Sequence, residues 1–389
     1  MTRDLIFISM ETWDEHWRRN QFVCAELARR HPQRKILFLG VPRNIWRYGA
    51  SGDIGTLLRS PVATVPGLPN ITTSRALRIG LERFQWGLRL NQSITRRHVA
   101  HLARRLELEH PILWLNPHFA VHMVGRMGES AVVYDITDDW TARDQAPWLA
   151  EQVRRQDAEL CRKADAVIVC STRLQEMKQP LADGKLHLIP NGVDAEHYRT
   201  VLAGTGPLPP AAAAWPRPVY GYTGTVHQDR LDVELVAAVA ARLNAGSLVF
   251  IGPNHLPPAV VRRLTETGRV IFHPAVPYQN IPQFMRGFDV CVVPHRVSPF
   301  VESLQPIKLW EYLAAGKPIV ATDIAGFRDY PDLVRIATAP DEFCRQLEAA
   351  AAENPSLATQ RQAVAMENSW QTRVDAIEGV LAGVVNRQK

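Results

Sequence analysis

Lys308 and Glu311 stand three residues apart in PIKLWEYLAAGKPIVATD, a spacing that places both side chains on one helix face within the first two turns. Pro306 suits the start of such a helix, because its missing donor and fixed φ cost nothing at the first position, and Gly316 followed by Pro318 supplies the stop. A helix opening there presents free backbone N–H groups and the positive end of its dipole, which together seat a diphosphate; Lys308 adds a full positive charge. Glu311 can accept hydrogen bonds from two neighbouring hydroxyls at once, as a ribose cis-diol offers. The plain alternative is a surface ion pair of little energy. The strand–turn–helix pattern of residues 294–324 argues against it.

A second chemical signal is YDITDDW, residues 134–140, where Asp135, Asp138 and Asp139 gather after an expected strand. Open α/β sheets hold ligands at the carboxyl ends of their strands. One of these acids could take the proton from an attacking hydroxyl, or they could cap the helix that follows. In ETWDEHWRRNQ, after the first expected strand, His16, Arg18 and Arg19 are candidates to meet an acceptor phosphate or an acidic sugar, with plain surface charge as the alternative. His118 and His122 lie at i, i+4, a metal-like spacing, but no HExxH pattern or carboxylate partner accompanies them, and no metal is expected.

The elements that must position these residues are legible in outline. Short apolar runs rich in β-branched residues alternate with longer amphipathic stretches, the pattern of parallel strands joined by helical crossovers. LIFIS, KILFLG, PILWLN, AVVYDI and AVIVCS predict one sheet; PVYGYTG, SLVFIG, RVIFHP, FDVCVVP and KPIVATDI predict a second. Between them GTGPLPPAAAAWPRP reads as a linker or domain entrance. The expected architecture is α/β, two Rossmann-like doubly wound domains facing across a cleft. An acceptor-binding domain is expected over 1–200 and a nucleotide-sugar-binding domain over 201–365. Residues 366–389 form a helix that closes the second domain or crosses back to the first.

PIKLWEYLAAGKPIVATD resembles the donor-binding motif of bacterial GT-B glycosyltransferases. YGYTGTV resembles the first strand and turn of their nucleotide-binding domain, which implies that Gly224 and Thr225 lie near the phosphates. IPNGVDAEHY is similar to the segment that enters that domain, and VIFHPAVPYQNIPQFMRGFDVCVVP resembles the stretch whose loop, at Tyr278, holds the base. The resemblance implies a nucleotide diphosphate sugar, UDP-linked, as substrate and no separate cofactor. Many retaining members carry a glutamate eight positions before the equivalent of Glu311, where this chain has Ser303; Glu302 beside it substitutes only if the loop is shifted. The first domain looks more like inverting exopolysaccharide and teichuronic-type enzymes, similar to xanthan-type glucuronosyltransferases. That implies Asp138 as base, with Asp139 second.

Composition is consistent with a folded chain: among 389 residues, 46% are hydrophobic and 22% charged. Cys24, Cys161, Cys170, Cys291 and Cys344 are odd in number and form no CxxC, so neither a disulfide framework nor a zinc site is indicated, and a reducing cytoplasm is expected. The first residues read as a strand rather than a signal peptide. No apolar stretch is long enough to span a bilayer, so any membrane contact is peripheral. Over residues 75–105, Arg75, Arg78, Arg83, Arg89, Arg96, Arg97, Arg104 and Arg105 face Glu82 alone, interleaved with Leu77, Leu81, Phe84, Trp86, Leu88 and Leu90. That mixture suits an anionic lipid surface, or else a solvated face beside a core stripe. No nucleic-acid-binding module accompanies the charge.

The function expected is transfer of a sugar from a UDP-sugar to a membrane-associated, lipid-linked saccharide acceptor in cell-surface polysaccharide synthesis. The rivals are a nucleotide-sugar 2-epimerase of the same architecture, a non-catalytic membrane adaptor, and an NAD(P)-dependent enzyme, for which no GxGxxG follows the first strand.

Overall fold

A computed structural model of the chain describes residues 3–15, 17–50, 62–82, 84–141, 145–182 and 184–386. It divides into two compact units, Met1–Pro190 with Val374–Lys389, and Asn191–Arg373.

The first unit holds an eight-stranded sheet of β1 (Leu5–Ile8), β2 (Ile36–Leu39), β3 (Val62–Val65), β4 (Leu68–Ser74), β5 (Ile112–Leu115), β6 (Ala131–Ile136), β7 (Ala166–Val169) and β8 (Leu186–Leu188). The order is β8-β7-β6-β5-β1-β2-β4-β3, parallel except for the hairpin of β3 on β4. LIFI, ILFL, ILWL and AVIV are buried at every position, which is why they read as continuous apolar runs rather than alternating ones. Phe7, Phe38 and Trp114 stack across neighbouring strands at 5.3 to 5.6 Å, and Ile6, Leu37, Leu113, Val132 and Val167 belong to the core. Chain order reverses between β1 and β5, so the crevice where such sheets take ligands opens beyond Ile8 and Leu115. From Val374 onward the last helix, Trp370–Asn386, belongs to this unit, where Arg30 bonds Asp375 at 2.6 Å and Glu378 at 3.1 Å.

The second unit holds six parallel strands: β9 (Val219–Thr223), β10 (Ser247–Ile251), β11 (Val270–His273), β12 (Val290–Val293), β13 (Ile319–Ala321) and β14 (Arg335–Ile336). Their order, β11-β10-β9-β12-β13-β14, reverses between β9 and β12. The helix Ile307–Ala314 buries Leu309, Trp310, Tyr312, Leu313 and Ala314 in the core of this unit, which leaves Lys308 and Glu311 on its half-buried side.

Two boundaries differ from the sequence reading. Residues 191–200, expected in the first domain, belong to the second, because the helix Ala195–Ala203, capped by Asp194, buries Ala195, Tyr198 and Val201 in its core. The proline- and alanine-rich stretch after it is not a bare linker. Ala212 and Trp215 are buried in the same core, Trp215 lying against Phe284 and Phe288. Among the described residues no helix is long and apolar enough to cross a membrane.

Candidate functional site

In the first unit a polar network fixes the strand ends at the crevice. Asn20 Nδ2 donates to Ser9 Oγ at 2.9 Å and to Asn116 Oδ1 at 3.1 Å, and Asn116 Nδ2 donates to the Asp135 carbonyl at 2.9 Å. Arg19, which the sequence aimed at an acceptor, is instead buried. Its Nε reaches Asp135 at 3.0 Å and its Nη1 donates to the carbonyls of Ile189 and Pro190. Arg19 is the first residue of the helix Arg19–Arg30, and the Asp135 carboxylate at the end of β6 balances its buried guanidinium. That pairing also removes Asp135 from the candidate bases. Asp139 is buried and accepts from the Thr141 amide at 2.9 Å and from its hydroxyl, a local turn rather than a cap of the following helix, which begins at Pro147 behind Ala146. His16 lies outside the described residues.

Asp138 is half-buried, 3.0 Å from the Thr137 hydroxyl. Glu11, three residues past the end of β1, shares its surroundings. Burial pushes the Glu11 carboxyl up to about 7, the charges of Asp138, Asp14 and Asp135 add to the rise, and Arg18, 3.8 Å away, opposes it. Sequence reading passed over Glu11, because nothing local says that a glutamate after β1 will meet an aspartate after β6.

In the second unit β9 ends in a turn at Gly224, whose φ of 127° disfavours any side chain. A Cβ there would lie 2.4 Å from Lys308 Nζ, so glycine lets the ammonium settle directly on the backbone turn. Lys308 Nζ also sits 5.2 Å from the centre of the Tyr222 ring. Beside it is His295, just after β12, 3.3 Å from the Tyr222 hydroxyl; burial, with the charges of Lys308 and Arg230, pushes it down to about 3. Neither Lys308 nor Arg230 has an ion-pair partner among the described residues. Two cations without an ion pair, beside a strand end and a helix N-terminus, favour an anion.

One turn along, Glu311 accepts a 2.9 Å hydrogen bond from the Tyr198 hydroxyl. Burial raises its carboxyl above the ordinary range while Lys308 draws it back. The Tyr278 ring stacks on His197 at 4.3 Å and meets Tyr198 edge-on at 6.1 Å. Thr225 is exposed beyond the turn, and its carbonyl accepts from the Tyr222 hydroxyl. Ser303 is buried and donates its hydroxyl to the Phe300 carbonyl at 2.7 Å, while Glu302 is clasped by Arg328 at 2.7 and 2.9 Å.

Residues 217–353 match the family described as Glycosyl transferases group 1. This stretch is a group 1 glycosyltransferase domain. It contains the Gly224 turn, Lys308, Glu311 and Tyr278. The chain is also 28% identical over 211 residues to a putative teichuronic acid biosynthesis glycosyltransferase, TuaH, of Bacillus subtilis, the match covering 50% of each chain. The chain thus spans about half the length of that curated relative. Among solved structures it is similar to a sucrose-phosphate synthase from Thermosynechococcus elongatus (TM-score 0.71, 14% identity, 99% of this chain and 100% of that one). It is also similar to Anabaena HepE in complex with UDP (0.68, 17%, 98% and 100%). These likenesses show the GT-B fold for the whole length.

The glycosyltransferase domain thus carries Gly224, Thr225, Tyr278, Lys308 and Glu311 on the carboxyl side of its sheet, with Arg230, His295 and Tyr198 added to them. Tyr198 precedes the matched stretch yet closes the glutamate's environment.

Proposed function

We propose that the protein transfers a hexose from a UDP-sugar to a lipid-linked saccharide acceptor, at the inner face of the cell membrane, in the synthesis of a cell-surface polysaccharide. The observation that carries this reading is the seating of Lys308 on the Gly224 turn with Glu311 one helical turn behind it. The diphosphate is held by Lys308, Arg230 and the N-terminus of the Ile307–Ala314 helix, a scheme that neutralises the leaving group with protein charge alone. Glu311 receives the ribose diol and the Tyr278 turn faces the base. Uridine is favoured by the HepE structures with UDP and with UDP-glucose, and the polysaccharide role by the teichuronic acid relative.

The acceptor belongs to the first unit. Its hydroxyl attacks the anomeric carbon, the bond from that carbon to the diphosphate oxygen breaks, and the acceptor proton passes to Asp138, with Glu11 beside it and Arg18 near the acceptor. Direct attack inverts the anomeric centre, and the absence of a glutamate at Ser303 accords with that outcome.

The test is thermal stabilisation and UDP release on the full chain. UDP should raise the melting temperature by mass action. Lys308→Ala with Glu311→Ala should abolish that rise and lower UDP release at least 100-fold. Unchanged release in the double variant would remove the donor site from this helix.

A further inference from the structure

The carboxyl ends of β1 and β2 open into a cavity of about 250 Å³ within the first unit. It is closed by residues 77–82, the helix Gln85–Arg105, the short helix His118–Met123 and the helix Pro147–Lys163. Neither Asp138 nor Glu11 lines it, but Ser9 does, and Ser9 Oγ accepts from the Glu11 amide at 2.9 Å. Leu39, Leu77, Leu88, Phe119 and Val153 supply apolar wall.

Part of the polar wall is engaged, Ser9 and Asn91 in hydrogen bonds and Arg78 with Glu82, but the rest is unspent. Gln156 is 8% exposed and His118 9%, and neither side chain has a hydrogen-bond partner among the described residues. His122 Nδ1 is buried and also lacks one. Gln92, Thr95 and Gln152, half-buried on the same wall, make no side-chain hydrogen bond among the described residues either. Leaving buried amide and imidazole groups unmatched is costly, so they are completed from inside the cavity, by water in the free protein and by a ligand when one is bound.

Charge decides what that ligand is. Burial pushes His118 and His122 down to about 4, so both rings are neutral at neutral pH. Arg78 and Glu82, the charged residues on the wall, pair with each other at 3.1 Å. A carboxylate or phosphate entering here would be buried without a counter-ion of its own. Amides and neutral imidazoles both give and accept hydrogen bonds, as sugar hydroxyls do, and the apolar wall matches the C–H face of a pyranose. The volume falls just under the roughly 300–1,000 Å³ of sites for drug-sized ligands, which suits one ring rather than several.

The geometry points to this cavity as the seat of one uncharged sugar ring, the terminal residue of the acceptor. That the ring is an acceptor rests on the transferase reading; that the cavity takes a neutral sugar does not.

The experiment is saturation-transfer NMR on the full chain with UDP present. The probes are the methyl glycosides of glucose, galactose and N-acetylglucosamine, with methyl glucuronide as the charged counterpart. At least one neutral glycoside should bind and the glucuronide should not. Gln156→Leu should weaken the neutral sugar at least 10-fold, and so should Gln92→Ala, whose half-buried helical position tolerates truncation, with UDP-induced thermal stabilisation unchanged in both. Equal binding of the glucuronide, no binding of any neutral glycoside, or parent-like affinity in both variants overturns the proposal. If a neutral sugar binds as described but UDP stabilises nothing, the cavity stands and the transferase reading falls.

Discussion

Glu11 keeps its proton to about 7 because burial and three neighbouring carboxylates outweigh Arg18. Its charged form is therefore the less stable one in the folded chain. The sign for stability follows from linkage: a carboxyl raised above its ordinary value contributes stability that is complete below about pH 4.5 and is lost as pH rises through about 7. Glu11→Gln should thus be more stable than the parent at pH 8, by on the order of 1–2 kcal/mol once solvent access to the carboxyl is allowed for, and no more stable at pH 4. Urea titrations at the two values measure this. Activity should move the other way. If charged Glu11 supports Asp138 as the proposed base, kcat/KM rises with pH through about 7 in the parent, and Glu11→Gln flattens that limb. Asp138→Asn keeps UDP binding and loses most turnover. A flat parent profile, or turnover surviving in Asp138→Asn, would place the base elsewhere.

Elements explain why some of this could be read in advance and some could not. The strand runs stand out because parallel strands covered on both faces are apolar at most positions, and LIFI or AVIV need no context. Lys308 and Glu311 were visible because Pro306 and Gly316 mark their helix on the page. By contrast, the edge strand LHL at β8 is only half-buried, and the hairpin strand VATV is mostly open to solvent, so neither carries the burial signature. Arg19 and His295 take their roles from partners remote in sequence, and Arg230 and the cavity residue Gln156 from surroundings that only the fold assembles; a charged or amide side chain gives no local sign of either. Arg19 shows the energetic consequence. Arg19→Met should leave Asp135 buried and uncompensated, at about 3–5 kcal/mol by the usual penalty for breaking a buried pair. Arg19→Met combined with Asp135→Leu should recover part of that loss. Urea unfolding followed by a probe in the first unit, such as Trp114, separates this transition from that of the second unit. An equal loss in single and double variants would mean that Arg19 acts mainly through the Ile189 and Pro190 carbonyls.

At the scale of the whole molecule the remaining question is where it works, and residues 75–105 bear on it. The helix of this segment, Gln85–Arg105, and the residues before it leave Phe84, Trp86, Leu81 and Leu90 between 38% and 59% exposed, with Phe84 and Trp86 stacked on each other. Arg83 lies outside the described residues. Arg89, Arg96 and Arg97 have no ion-pair partner among the described residues, whereas Arg78 is paired with Glu82 and Arg75 donates to the Val41 carbonyl and the Tyr48 hydroxyl. Aromatic rings beside unpaired arginines suit the boundary between lipid head groups and acyl chains, where each arginine near an anionic surface contributes about 1 kcal/mol. The chain should therefore sediment with vesicles containing one third phosphatidylglycerol at low salt and not with phosphatidylcholine alone. Because that attraction acts through water, it should fade as salt shortens the Debye length from about 10 Å at 0.1 M towards 3 Å at 1 M. Trp86→Ser should weaken binding at every salt concentration, whereas Arg96→Gln with Arg97→Gln should weaken it chiefly at low salt and flatten the salt dependence. Equal sedimentation with neutral vesicles, or indifference to all three substitutions, would return this face to bulk solvent and leave the acceptor to reach the enzyme without a lipid surface.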